Sequence, residues 1–249
     1  MVENADSEGW FARFPATRHS AILAAQSPDA PERERGLAVL AETYWKPAYK
    51  YLRARFRESN DDAADLTQAF FTRALEKDFF DGYDAARGSF RTYLRTCLDR
   101  FVANEKKAAT RIKRSPGAPV LSLDFAGAEQ ELAREDPADA RSLEQYFHDE
   151  WIRSLFGHAV EQLGRECERR DKVVAFRLFE RYELDRSHDE RVTYQLLAES
   201  FGIPSTQVTN LLAWARREFQ RIVLERLREI TVTEREFREE AKNLLGVAT

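Results

Sequence analysis

The sequence predicts an all-α protein of two small helical bundles joined by an acidic linker, the second bundle carrying a C-terminal helix-turn-helix. Apolar residues recur at three-to-four spacing over long stretches, and no β alternation extends beyond a few residues. Ten Gly and eight Pro in 249 residues, with 33% charged residues, favour helices over a turn-rich β fold. An apolar content of 43% excludes wholesale disorder.

The first bundle is predicted over residues 31–115, after an N-terminal extension of residues 1–30. Pro31 is suited to the first turn of a helix, where its missing N–H costs nothing. An apolar stripe over 37–56 then predicts one long amphipathic helix, which we expect Pro47 to kink.

Two further helices complete this predicted bundle. The second covers residues 62–77, and a loop rich in turn residues follows at 81–88. Ser89 is a good N-cap for the third helix. This third helix continues as a basic tail to Arg114.

A break in the helical pattern at residues 115–119, SPGAP, indicates a domain boundary. Residues 116–141 are predicted to be an acidic linker with at most short structure. The second bundle covers 142–230, and 231–249 form a C-terminal extension.

Charge is segregated along the chain, although the formal net charge is only -4. Residues 61–84 carry seven acids and two bases, and 87–114 carry nine bases and two acids. Residues 124–150 carry nine acids and two bases. Opposed blocks predict more than one kind of partner surface, including nucleic acid for the basic block.

Several protein classes are excluded or disfavoured by the sequence. No apolar run approaches the ~18 residues that span a membrane. The acidic start, MVENAD, is unlike a signal peptide and predicts a cytoplasmic protein. Cys97 and Cys167 are interpreted as free thiols, and four scattered histidines give no metal-ligand spacing. We expect no metal, no cofactor and no catalysis.

The most specific local pattern is a helix-turn-helix at residues 193–212. Thr193 can cap the first helix, and Gly202 supplies the left-handed backbone of the turn. Leu197 and Val208 are expected in the core between the two helices.

The second helix of this motif predicts a reading face for duplex DNA. Short polar side chains on its first turns suit base edges, and arginines behind them suit phosphates. The candidate residues are Ser205, Thr206, Gln207, Thr209, Asn210, Arg216 and Arg217. The alternative is a helical hairpin whose polar face is merely solvated.

The third helix of the first bundle mixes cations with aromatic residues, a combination that suits single-stranded or melting DNA. Phe90 and Phe101 fit the apolar stripe, whereas Tyr83 and Tyr93 do not. The alternative is that the aromatics are packing residues and the cations form a solvated face.

These parts resemble, in order, the extracytoplasmic-function (ECF) sigma factors of bacterial RNA polymerase. The segments that carry the resemblance are DDAADLTQAFF at 61–71, RGSFRTYL at 87–94, and the helix-turn-helix through ARR at 215–217. The similarity covers about residues 37–114 and 151–228.

The resemblance implies a role for each part. The acidic helix would dock on the polymerase β′ clamp, through Asp61, Asp62, Asp65, Gln68 and Phe71. The loop at 78–89 and the helix after it would capture the melted −10 element, through Tyr83, Arg87, Arg91, Tyr93, Arg100, Asn104 and Lys107. The helix from Ser205 would read the −35 element beside the β flap, and the linker would enter the polymerase interior. Such proteins bind and position rather than catalyse.

The sequence departs from the family pattern in the docking helix and at the −10 element. Ala64 and Ala69 stand where family members carry glutamates, and Thr67 stands where they carry valine. Phosphorylation of Thr67 by a Ser/Thr kinase would add about -1.5 to -2 charges there. We hypothesise that this modification switches the protein on. Arg100 aligns with the family asparagine linked to the flipped −10 base, and Asn104 follows four residues later.

Three other interpretations stay open at the level of sequence. The aspartates at 61, 62 and 65 could hold a metal, but no second carboxylate pair faces them. A helix-turn-helix regulator would bind duplex operator DNA as a dimer without polymerase. A helical interaction protein would have no DNA role. The terminal extensions, with aromatics at Trp10 and Phe11 and an amphipathic tail, could also hold the DNA-reading domains inactive.

Overall fold

The computed structural model describes residues 20–75, 79–109, 123–133, 142–185 and 192–246. All regular structure in these ranges is helical, which confirms the all-α prediction. The helices are α1 (Ala21–Ala25), α2 (Ala30–Phe56), α3 (Asn60–Ala74), α4 (Phe90–Ala109), α5 (Phe125–Leu132), α6 (Leu143–Arg169), α7 (Val173–Phe179) with a π-helical turn (Glu180–Leu184), α8 (Tyr194–Phe201), α9 (Ser205–Glu229) and α10 (Glu234–Leu245).

The chain divides into two compact units whose boundaries differ from the predicted ones. Unit 1 contains Met1–Ser154 and Leu227–Thr249, and unit 2 contains Leu155–Arg226. The start of α6 belongs to unit 1 because Trp151 is buried there and Ser154 donates a hydrogen bond to the Thr43 carbonyl. The boundary therefore lies within a helix rather than in the acidic linker.

Local sequence signals set the helix starts in unit 1. Asp29 caps α2 by accepting a hydrogen bond from the Glu32 amide, and the helix continues through Pro47 to Phe56. Ser59 caps α3 by accepting from the Asp62 amide, three residues before the predicted start. Gly36 permits the close crossing of α1 and α2, since a Cβ at this position would lie 2.6 Å from the Ala21 carbonyl oxygen.

Aromatic rings form the core that joins α2, α3 and α4. Tyr44 and Phe80 each meet the Phe90 ring edge to face, at centroid distances of 5.7 and 5.3 Å. Phe70 meets Phe101 in the same way at 5.6 Å. Each such pair adds about 0.5–1.5 kcal/mol beyond the burial of its area. This core fixes where the loop before α4 lies.

The described part of the acidic linker, residues 123–133, contains short structure, as the prediction allowed. It forms the eight-residue helix α5, whose Phe125 packs on Tyr49 at a centroid distance of 5.0 Å. Glu129 pairs with Arg53 at 2.7 Å and accepts a hydrogen bond from the Tyr49 hydroxyl at 2.6 Å. The Arg53 guanidinium, together with that hydroxyl, lowers the pKa of Glu129. Glu129 of the linker therefore has partners within unit 1.

A buried ion pair anchors the start of α6 to α2. Lys50 Nζ lies 2.7 Å from Glu150 Oε2 and 2.9 Å from Glu131 Oε2, and the Lys50 side chain has no exposed surface. Burial alone would lower the pKa of Lys50, but the two carboxylates outweigh it and raise the pKa. Lys50 is therefore charged inside unit 1.

Unit 2 is a small helical bundle in which α9 packs on α6 and α7. The half-buried Phe219 ring lies 5.7 Å from that of Phe156 and 5.3 Å from that of Phe179. Leu163 and Leu178 are fully buried in this unit. None of the helices in the described ranges has the length and apolarity needed to cross a membrane.

Candidate nucleic-acid interface

The helix-turn-helix has the local geometry that the sequence predicts. Thr193 accepts a hydrogen bond from the Leu196 amide at 3.2 Å and so caps α8. Gly202 has a φ of 64° and ends that helix in the left-handed region. The Ile203 amide then donates to the Ala198 carbonyl, which closes the turn. A β-carbon is costly at Gly202, so the turn depends on this glycine.

The core of the motif leaves the predicted reading face in solvent. Val208, Leu212 and Ala215 form the fully buried side of α9. The side chains predicted to meet base edges are all exposed: Ser205, Thr206, Gln207, Thr209 and Asn210. No acid occurs in residues 200–217, so this face presents short polar groups without negative charge. Such a face can enter a major groove.

The two arginines behind this face differ in their surroundings. Arg216 is half-buried, donates to Glu183 at 2.6 Å and to the Tyr194 hydroxyl at 3.1 Å, and lies over the Tyr182 ring. Arg217 is exposed. Arg216 therefore braces α9 against α8 and the π-helical turn, and Arg217 is the arginine placed in solvent for a phosphate.

The basic helix α4 presents only part of its predicted DNA surface to solvent. Arg87, Arg100, Asn104 and Lys107 are exposed. Tyr83 is buried and Arg91 and Tyr93 are half-buried. The cations of the basic tail beyond Ala109 lie outside the described residues, as does the first residue of the −10 loop, Asp78.

Tyr83 is part of an aromatic cluster rather than a free stacking platform. Its ring lies 5.1 Å from that of Phe90 and 5.5 Å from that of Tyr93. Its hydroxyl donates to Glu236 Oε1 at 3.2 Å. Burial, reinforced by that carboxylate, raises the pKa of Tyr83. Burial and the neighbouring Cys97 raise the pKa of Tyr93 to about 12. Both phenols are therefore neutral donors at neutral pH.

Arg91 is held by acidic and aromatic partners within unit 1. Its Nη1 pairs with Oε1 of Glu240 on α10, and its guanidinium lies 4.8 Å from the centre of the Trp151 ring. Trp151 in turn stacks on His148 at 5.8 Å. Burial, followed by the charge of Arg91, lowers the pKa of His148. Arg91 thus lies in a closed polar cluster and not at a free surface.

The predicted docking helix α3 exposes its acids and buries its aromatic residue. Asp61, Asp62 and Asp65 are exposed, and Gln68 is half-buried. Phe71 is 4% exposed and packs on Phe70, which leaves it little surface for the predicted polymerase contact. The helical stripe decides this: position 71 falls on the core side of α3.

Thr67 has no exposed surface in the described structure. Its hydroxyl donates to the Ala63 carbonyl at 2.7 Å within α3. A kinase must reach that hydroxyl, and phosphate must be solvated or paired with cations. Phosphorylation of Thr67 therefore requires this part of α3 to open first.

Sequence reasoning missed the acids that cover the basic helix. Glu236 and Glu240 lie in the C-terminal extension, and Trp151 lies at the start of α6. The available signal was the spacing of four between the two glutamates, which places both on one helix face. Nothing in that spacing indicates which part of the chain the face will meet.

The remaining chemistry-bearing side chains form no further site. Cys97 is half-buried and Cys167 is buried, and neither is in a disulfide. Burial raises the pKa of Cys167 to about 11, so it is a thiol. Within the described ranges, no group of three or more His, Cys, Asp or Glu side chains could hold a metal ion. The predicted aromatics of the N-terminal extension, Trp10 and Phe11, lie outside the described residues.

Comparisons of the chain with protein-family models, with curated proteins and with solved structures found no match.

Proposed function

We propose that this chain is a sigma factor of the ECF type, which directs bacterial RNA polymerase to promoters. The observation that carries the proposal is the exposed, acid-free face of α9 above a well-packed helix-turn-helix. Its polar side chains lie on the first turns of the helix, where a recognition helix meets base edges. In this role the α9 face reads the −35 element of duplex promoter DNA.

A second surface supports the choice of a sigma factor over a simple DNA-binding protein. Asp61, Asp62 and Asp65 form an exposed acidic face on α3. Such a face suits a basic partner such as the β′ clamp helices. An operator-binding regulator has no need of this surface, whereas a sigma factor must bind polymerase before it binds DNA.

The basic helix α4 gives the third surface. Arg87 in the loop before it is exposed, and so are Arg100, Asn104 and Lys107 along it, in reach of a strand backbone. The resemblance places the −10 element here. In this role the protein binds the melted strand and positions it, and polymerase does the chemistry.

Binding to core polymerase tests the proposal directly. Purified core RNA polymerase is immobilised, and retention of the full chain is measured for wild type, for Asp61→Lys/Asp62→Lys, and for Glu34→Lys/Glu168→Lys as control. All four acids are exposed, so both double variants change the charge equally. We expect the control to be retained like wild type, and a loss of about tenfold or more for the α3 variant. Each chain is assayed unmodified and after kinase treatment, and no retention of wild type in either form would contradict a sigma factor.

The same preparation distinguishes the rival regulator. A sigma factor should bind a promoter fragment and support transcript initiation only with core polymerase present. A helix-turn-helix regulator should bind duplex DNA alone, as a dimer. Tight binding of duplex DNA by the free chain, with no effect of polymerase, would favour the regulator.

The proposed function includes activation by phosphorylation of Thr67, which a Ser/Thr kinase would modify in an opened state of α3. Because Thr67 is buried, the modification must act on an opened α3 and not on the folded helix. A kinase reaction on the folded chain, followed by mass spectrometry, should therefore leave Thr67 unmodified unless polymerase or mild denaturant is added. Rapid modification of the free folded chain would contradict this ordering.

A further inference from the structure

The C-terminal helix α10 covers part of the surface where a DNA strand would bind. It does so through two carboxylates, Glu236 on the Tyr83 hydroxyl and Glu240 on the Arg91 guanidinium. The Arg91 side chain is 20% exposed and Tyr83 is 9% exposed. While α10 is in this place, its carboxylates occupy the Tyr83 hydroxyl and Arg91 Nη1, and little of either side chain is left exposed.

The contacts of α10 use the chemistry that a strand would use. A guanidinium pairs with a carboxylate or with a phosphate through the same planar fork of donors. Aromatic rings such as that of Tyr83 can stack on bases. Glu240 and Glu236 therefore occupy donor groups of the kind that hold a phosphate backbone.

The attachment of α10 is narrow. Phe237 and Ala241 are its only buried apolar residues, while Leu244 and Leu245 are half-buried. Both ends of the helix are closed by its own residues, by Thr233 at the start and by Gly246 with a φ of 65° at the end. Besides its two carboxylate contacts and the contacts of Arg228 with Glu234 and Phe237, this capped helix of twelve residues is held by one large apolar side chain, so it can leave as a unit.

One carboxylate oxygen of α10 lies in an energetically unfavourable environment. Oε2 of Glu240 is buried and has no hydrogen-bond partner among the described residues. A buried carboxylate oxygen without a partner carries a desolvation cost that the single pair with Arg91 only partly offsets. Release of α10 would return this oxygen to water.

We propose that α10 and single-stranded DNA compete for the surface formed by Tyr83 and Arg91, so that the free chain is held in a state that binds strands weakly. This inference rests on the proposed function, because it takes α4 to be the strand-binding helix. The exposed Arg87 and Arg100 provide the first contact, and displacement of α10 completes the surface.

A pair of neighbouring glutamates gives the test. Glu240→Gln removes the charge that faces Arg91, and Glu239→Gln removes the same charge from an exposed position one residue earlier. Binding of a labelled oligothymidylate of about 12 nucleotides is measured by fluorescence anisotropy on the full chain. We expect Glu240→Gln to bind about fivefold more tightly than wild type, and Glu239→Gln to match wild type within about twofold.

Each outcome decides something different. Equal affinity of wild type and both variants would overturn the competition while leaving strand binding by α4, and with it the proposed function, in place. No binding by any of the three chains, with and without core polymerase, would contradict the competition and the strand-binding role together.

Hydrogen exchange gives a second reading that does not depend on a variant. The amides of residues 234–245 are followed in the wild-type chain at saturating oligothymidylate. Faster exchange of these amides in the complex than in the free chain supports displacement of α10. Unchanged protection at saturation would overturn it.

Discussion

The predicted DNA-binding residues of α4 and its preceding loop, in unit 1, and those of α9, in unit 2, differ in how far they are exposed. Along α9 the five predicted base-reading side chains are all exposed. Along α4 and the loop before it, Tyr83 and Arg91 are covered by α10, while Arg87, Arg100, Asn104 and Lys107 are exposed. The difference teaches that a DNA-binding pattern in sequence fixes residue types, while access depends on what the rest of the chain covers.

The largest expected effect comes from one substitution made in each unit, in α3 and in α9. Thr67 and Thr209 each donate a hydrogen bond to the carbonyl four residues earlier, but Thr67 is buried and Thr209 is exposed. Thr67→Asp places an unpaired charge in the core and should lower the free energy of unfolding by about 3–5 kcal/mol. Thr209→Asp should change it by less than about 0.5 kcal/mol. Urea denaturation measures both.

Binding of promoter DNA should be affected most by the substitution at Thr209, the reverse of the order for stability. Thr209→Asp adds a negative charge to the reading face of α9 and should abolish binding of duplex promoter DNA by the holoenzyme. Thr67→Ala adds no charge at this buried position, so it is the control for Thr67→Asp. If Thr67→Asp folded as stably as Thr67→Ala, the buried position of Thr67 would be contradicted.

The next effect concerns base reading on α9. Gln207→Ala and Asn210→Ala remove exposed amides and should each weaken promoter binding by about 1–3 kcal/mol if they meet base edges, with no change in thermal stability. Ser200→Ala, outside this face in α8, is the control. A loss of binding that is the same for every promoter sequence would show phosphate contact rather than base reading. Competition with mutated −35 sequences distinguishes the two.

A smaller effect separates the two arginines behind that face. Arg217→Ala should leave the free energy of unfolding unchanged. It should lower by about one the slope of log K for DNA binding against log salt concentration. Arg216→Ala loses the pairing with Glu183 and Tyr194 and should lower stability by under about 1 kcal/mol, since the pair is partly exposed. Salt titrations and thermal melts on both variants measure this. An unchanged salt slope for Arg217→Ala would remove that residue from the interface.

The smallest expected effect is a pH dependence in the covered cluster of unit 1. Groups that face His148 are Arg91 from α4, Glu240 from α10, and Asp149 and Trp151 from α6. Burial and Arg91 lower the pKa of His148 from its usual value of 6.5. The unfolded chain then binds the proton first, so stability is present above about pH 6.5 and falls as the pH is lowered below it.

The variant His148→Phe keeps a ring against Trp151 and cannot titrate. We expect the free energy of unfolding of wild type to fall more than that of the variant between about pH 7.5 and pH 5.5. Parallel curves for the two proteins would show that His148 does not contribute.

Sequence patterns predicted the local structure well where one short segment controls it. Thr193 and Gly202 set the start and end of α8 because a cap and a left-handed turn depend on neighbouring residues only. Phe71 was predicted as a polymerase contact from the resemblance, although the apolar pattern placed it beside the core line, and the structure leaves it 4% exposed. The acidic linker was predicted to hold at most short structure, and no local signal shows that Tyr49 and Arg53 receive its short helix α5.

By itself, the sequence determined the all-α class, the cap and turn that bound α8, and the segregation of charge, because periodicity, caps and charge blocks are properties of near neighbours. Only the tertiary structure decided that Thr67 is buried, that α6 begins inside unit 1, and that α10 lies over Tyr83 and Arg91. The last of these joins residues about 150 positions apart in the chain. Burial of Phe237 and pairing of opposite charges select that contact from many that the sequence allows.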